Sequence, residues 1–106
     1  MTRRIFITIE YDGTPFVGWQ RQVTGLSVQQ VLEEAAAELT GGDILVQGAG
    51  RTDSGVHATG QVAHLDVPDK FDANRVMEAL NALTSDHPVS IIEARGVDGE
   101  AHARFS

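Results

Sequence analysis

One carboxylate stands out in the stretch from Gly48 to Asp66, GAGRTDSGVHATGQVAHLD. Asp53 is set between Arg51-Thr52 and Ser54-Gly55, with Gly48, Gly50, Gly55 and Gly60 close by. Glycine permits backbone angles and close approaches that other residues resist. Such a loop places one acid at a chosen point with little bulk around it, which suits a nucleophile or a base. A turn aspartate bonding its own backbone fits the same string, and spacing by itself leaves both roles open. An aspartate near its ordinary pKa is ionised at neutral pH. Arg51, just before it, favours that state by charge pairing. Its guanidinium fork suits carboxylate and phosphate alike, so a structural and a binding role can coexist.

Other residues with binding chemistry surround this loop. Arg21 and Gln22 offer a cation and an amide for RNA contact, or form a solvated loop pair. His57 can touch phosphate or fix the loop by hydrogen bonds. Trp19 presents a face on which a base could stack, although a single tryptophan after Gly18 reads first as packing. His64 sits mid-strand and reads as a packed, satisfied histidine. A metal site built from His57, His64 and Asp66 matches no ligand spacing, so no metal is expected. Glu33, Glu34 and Glu38 read as a solvated helix face that would repel RNA.

These groups are positioned by a simple order of elements. Ile5, Ile7 and Ile9 alternate with Phe6, Thr8 and Glu10, which is strand periodicity, and Asp12-Gly13-Thr14-Pro15 breaks the strand. Ser27 followed by Gln30 is a capping-box pattern. Val28, Val31, Leu32, Ala35 and Leu39 follow at helical spacing, and Gly41-Gly42 ends the helix. Ile44 to Gln47 is a short strand, and Gln61 to Val67 another, stopped by Pro68. Asp72 caps a second helix with Val76, Leu80 and Leu83 on one face. Asp86-His87-Pro88 turns the chain, and Val89 to Ala94 forms the last strand. The order β-α-β-β-α-β predicts an α+β, ferredoxin-like fold: an antiparallel sheet with two helices on one face.

That order also predicts where the loops gather. If strand one finishes at the top, the first helix returns the chain to the bottom and strand two climbs again. The glycine-rich loop and the stretch from Asp12 to Leu26 then share the top, which brings Trp19, Gln20, Arg21 and Gln22 near Asp53. The loop Thr84 to Pro88 belongs to the same end. The tail after Gly96 starts at the bottom, so His102 and Arg104 reach the site only if it doubles back.

Composition sets outer bounds. A chain of 106 residues with 42% apolar residues fits one small domain with one core. The absence of cysteine excludes disulfides, thiolate metal sites and a cysteine nucleophile, and fits a reducing cytoplasm. No run approaches the roughly 20 apolar residues of a membrane span. Eight basic residues against 15 acidic ones give −7, whereas proteins that grip RNA phosphates usually carry a basic face. Segregation of charge by face reconciles the two.

GRTDSGVHA at Gly50 to Ala58 resembles the signature of the tRNA pseudouridine synthase A family. EYDGTPFVGWQRQ at Glu10 to Gln22, SVQQVLEEA at Ser27 to Ala35 and HARFS at His102 to Ser106 agree with it in type and order. The resemblance implies that Asp53 is the catalytic aspartate and that Arg51 helps hold a flipped-out uridine. It further implies a tRNA anticodon arm as substrate, no cofactor, and a homodimer in the full-length cytoplasmic enzyme. Family members are roughly two such domains long, so residues 1–106 are expected to be the N-terminal domain of a longer enzyme. The family's active-site tyrosine lies just beyond the HARFS segment, and Tyr11, in EYDG, is not its substitute. The 106 residues alone are therefore expected to turn over little tRNA. Ser54 stands where alanine is common, and serine fits the same space. A non-catalytic RNA-binding module is the competing reading, against which the chain lacks an aromatic RNP-type pattern. A regulatory ferredoxin-like domain is a third, and it explains neither GRTDSG nor GWQRQ.

Overall fold

The computed structural model describes residues 2–12, 18–19, 25–48 and 58–97, with backbone alone at 58, 59 and 97. Its elements run β1 (Thr2–Tyr11), α1 (Val28–Thr40), β2 (Val46–Gly48), β3 (Ala58–Pro68), α2 (Ala73–Leu83) and β4 (Val89–Val97). The four strands form one antiparallel sheet in the order β2-β3-β1-β4. This is the expected ferredoxin-like α+β arrangement.

Alternation along β1 divides the molecule. Ile5, Ile7, Ile9 and Tyr11 are buried in one cluster with Val28, Val31, Leu32 and Ala35 of α1 and Val76 and Leu80 of α2. Both helices therefore cover the odd-numbered face. The register supplies matching partners, with Ile5 opposite Leu65 and Ile7 opposite Ala63. On the other side Thr8 faces Glu93 while Ile9 faces Ile91, so Ile92 is an extra residue in β4. This bulge lets both Ile91 and Ala94 face the helices, and it leaves Ile92 exposed. β4 also runs to Val97, beyond the expected Ala94, because Arg95, Gly96 and Val97 continue to pair with β1.

The helix ends follow local chemistry. Ser27 accepts from the N–H of Gln30 at 3.1 Å, as a cap should. The reciprocal half of the expected capping box is not made, because the Gln30 amide turns along the helix to Glu34. Carbonyls of Gly18 and Trp19 instead accept from the N–H groups of Val28 and Gln29 at 3.2 and 2.9 Å. Gly41 ends α1 at φ 80°, a left-handed conformation that favours glycine, and its N–H donates to Ala37. Asp72 caps α2 by accepting from Arg75 N–H at 2.8 Å.

The outer strands have peptide groups with no strand beyond them, and the helices answer these. Asn81 of α2 donates to the carbonyl of Ile91 at 3.0 Å and accepts from its N–H at 2.8 Å. On the opposite edge, Gln29 donates to the carbonyl of Val46 at 2.9 Å, and the Glu33 carboxylate accepts from Val46 N–H at 3.0 Å. The reading of Glu33 as part of a solvated acidic face is thus overturned. Glu33 is 6% exposed because its carboxylate is needed at the edge of β2, while Glu34 and Glu38 do face solvent. β2 itself spans Val46–Gly48 instead of Ile44 to Gln47. Ile44 packs against the core and Leu45 turns outward.

Replacing Asn81 by alanine removes two hydrogen bonds to part-buried peptide groups. Stability is expected to fall by about 2 kcal/mol, read as a lower urea midpoint with an unchanged slope.

Candidate active-site end of the sheet

Asp53, Arg51, Arg21, Gln22 and His57 lie outside the described residues. Their anchor points do not. β2 ends at Gly48 and β3 begins at Ala58, so residues 49–57 connect these two positions. Ala58 pairs with Tyr11, the last residue of β1, and Tyr11 pairs with Val89, the first residue of β4. The N–H of Asp12 donates to the carbonyl of Pro88 at 3.0 Å. The loop Thr84 to Pro88 therefore shares this end of the sheet, as the element order predicts.

Trp19 joins the same end. It is 3% exposed within the core cluster, its ring 6.5 Å from that of Tyr11. A Cβ placed on Gly48 would lie 2.7 Å from two indole atoms of Trp19 and 2.9 Å from Nε2 of Gln61. The indole thus rests on the backbone from which residues 49–57 depart, and glycine is what permits the approach. The packing reading of Trp19 stands, and Trp19 lies against Gly48, while its expected neighbour Asp53 lies outside the described residues. Tyr11 is equally a core residue. At the far end Val97 pairs with Arg4, so the tail does start at the bottom. His102 and Arg104 lie outside the described residues.

The face opposite the helices carries charge. Arg4 grips Asp66 with two bonds, at 2.8 and 3.0 Å. That bond holds the Asp66 carboxyl below its usual range, aided by the charges of Arg4 and His64 and opposed by partial burial. His64 is buried and stacks on Phe6 at 5.8 Å, as a packed histidine should. The Arg95 guanidinium lies over the Phe6 ring, 5.1 Å from its centroid. Phe6 is left 4% exposed and offers no free stacking face. Among the described residues no group of three or more His, Asp or Glu is placed to hold a metal. None of the described helices is long and apolar enough to cross a membrane.

Pattern reading missed Gln29 and the edge role of Glu33. A usable sign was present: residues 29, 33 and 36 share one helical face, and Ala36 on that face is fully buried.

The architecture defines a ferredoxin-like domain in which the end of β1 and the starts of β3 and β4 meet at one end of the sheet, β3 following a glycine-rich string with a single acid. A family model described as tRNA pseudouridine synthase matches residues 7–106, and the chain belongs to that family. It is 53% identical over 103 residues to tRNA pseudouridine synthase A of Paramagnetospirillum magneticum, covering 97% of this chain and 40% of that relative. The relative of the same name from Maricaulis maris is 55% identical over 103 residues, with 97% and 41% covered. That from Acidiphilium cryptum is 56% identical over 108 residues, with 98% and 42% covered. The chain thus spans about two fifths of the length of these relatives.

Two outcomes are expected here. Gly48→Ala forces the indole of Trp19 aside, costing about 1–3 kcal/mol by overpacking. Since Trp19 is the sole tryptophan, its fluorescence emission should shift to the red. For Asp66, a lowered folded pKa means that its stabilisation is present above the unfolded carboxylate value of about 4. It is lost as pH falls from there through the folded value. Its side chain is 43% exposed, so screening limits the pair. Asp66→Asn should be less stable than wild type at pH 7 by up to about 1 kcal/mol. Denaturation series should show that gap closing on acidification to about pH 2.

Proposed function

We propose that this chain is the aspartate-bearing domain of a tRNA pseudouridine synthase acting on the anticodon arm, with Asp53 as the catalytic carboxylate. The observation that carries this reading is the membership of residues 7–106 in the family, joined to the convergence of the loop anchors. Ala58, Tyr11 and Pro88 lie at one end of the sheet, and Gly48, opposite Ala63, is joined to that end by Trp19, whose ring is near both Gly48 and Tyr11. Asp53 is five residues from Gly48 and five from Ala58. Five residues of chain reach at most about 18 Å, so chain length supports a place for the acid near Ala58.

The reaction is an isomerisation. The N1–C1′ bond of uridine breaks, the base turns, and C5 joins C1′. The proton leaving C5 is balanced by one gained at N1. No electron is transferred and no second substrate is consumed. An ionised carboxylate begins this by attacking the sugar or the base, or by removing a sugar proton. Arg51 supports the charge on Asp53 and, with Arg21, Gln22 and His57, supplies cationic and amide contacts to the RNA. The target base must leave its stack to be reached. On this reading the rest of the enzyme adds the remaining RNA surface and a second active-site group, and the working form is a cytoplasmic homodimer. The isolated 106 residues are then expected to convert little tRNA, and robust conversion by them would count against a divided site.

The test compares wild type with Asp53→Asn in the full-length gene product, on a tRNA carrying uridines in its anticodon arm. Wild type should form pseudouridine. The variant should form none while its tRNA affinity changes by less than about threefold. If both bind and neither converts, the domain is an RNA-binding module instead.

A further inference from the structure

Gln29 stands in the first turn of α1 and reaches in two directions. Its backbone N–H donates to the carbonyl of Trp19 at 2.9 Å. Its side-chain amide donates to the carbonyl of Val46, also at 2.9 Å. One turn later Glu33 accepts from the N–H of Val46 at 3.0 Å. Positions four apart lie on one face of a helix, so the two side chains together take both outward peptide groups of Val46. Two residues on is Gly48, and against Gly48 rests the indole of Trp19. The contacts close a ring: Trp19 to Gln29, Gln29 to Val46, Val46 along the strand to Gly48, and Gly48 back to Trp19.

The ring surrounds the departure point of residues 49–57. Among the described residues β2 is three residues long and pairs with β3 through Val46, Gln47 and Gly48. So short a ladder sets position weakly, and the helix side chains supply what further pairing would. A comparison within the molecule is instructive. Asn81 clamps Ile91 in the same way, but β4 has nine residues and a long ladder to β1. Loss of the Asn81 clamp weakens an edge that is already in register. Loss of the Gln29 clamp frees the root of the acid-bearing loop.

We propose that Gln29 is a positioning residue for Asp53, holding the root of residues 49–57 against the Gly18–Trp19 segment. This rests on the reading of Asp53 as the catalytic carboxylate. Gln29 acts through Val46, so its loss lowers the rate of the isomerisation more than the affinity for tRNA.

The experiment uses the full-length gene product as wild type, Asp53→Asn, Gln29→Met, Gln29→Glu and Asn81→Ala. Gln29→Met keeps the length of the side chain and removes the donor. Gln29→Glu sets an acceptor against the Val46 carbonyl. Single-turnover pseudouridine formation at saturating tRNA is measured beside tRNA binding and thermal unfolding. Both Gln29 variants should lose at least about tenfold in rate, as a loosened reacting group does, with binding changed less than about threefold. The Gln29→Glu deficit relative to wild type should shrink as pH falls toward about 5, where its carboxyl gains a proton and can donate again. Asn81→Ala should lower the unfolding temperature as much as Gln29→Met and leave the rate within about twofold. Gln29 variants with wild-type rates would overturn the proposal, as would an Asn81→Ala rate loss equal to theirs. If wild type forms no pseudouridine, or Asp53→Asn forms it normally, the reading of Asp53 falls and this proposal with it.

Discussion

Side chains of β1 point in two directions, and every other element is arranged around that fact. Ile5, Ile7, Ile9 and Tyr11 must lie under the helices, while Arg4, Phe6 and Thr8 must lie on the far face. A slip of one residue would exchange the two sets and bury Arg4 in the apolar cluster. Both neighbours therefore hold β1 in register, and irregularities absorb the mismatches. The extra residue in β4 near Ile92 brings Ile91 and Ala94 to the same face. A second irregularity, where Ala58 meets Tyr11, falls at the end where residues 49–57 enter β3. Bulges bend a strand and strengthen its twist, and this register shift falls at the Tyr11 end of β1.

The edges impose a second constraint, since an outer strand has peptide groups that nothing in the sheet can pair. Side chains from the helices meet it at Val46 and Ile91. Buried peptide groups are costly when unpaired, which explains why Gln29, Glu33 and Asn81 sit beside apolar stripes without facing open water. Their partners lie 10 to 17 residues away in sequence. Periodicity assigns each residue a face but is blind to what waits there, and on that account Glu33 was grouped with Glu34 and Glu38.

Charge is used locally on the open face. Arg4 is committed to Asp66, and Arg95 covers Phe6, which also stacks on His64. The arrangement closes the aromatic surface that sheet-face RNA binders leave open. It is consistent with a domain whose chemistry belongs to its loops, although a ferredoxin-like fold by itself hosts many functions. Family membership rests on a match from residue 7 to 106, and the strands and helices supply the anchor points of the loops.

The sequence by itself determined the order of elements, the helix caps at Ser27, Gly41 and Asp72, the two faces of β1 and the end of the sheet at which the loop Thr84 to Pro88 lies. It also carried the family resemblance, in the string from Gly50 to Ala58. Each of these depends on residues within a few positions of one another, or on the direction in which a chain must return. Only the tertiary structure decided that Glu33 is buried, that Gln30 leaves its capping box half made, that Ile92 is an inserted residue and that Trp19 rests on Gly48. Apart from the local turn of Gln30 to Glu34, these depend on partners distant in the chain, whose unpaired peptide groups and empty space exist only once sheet and helices have come together.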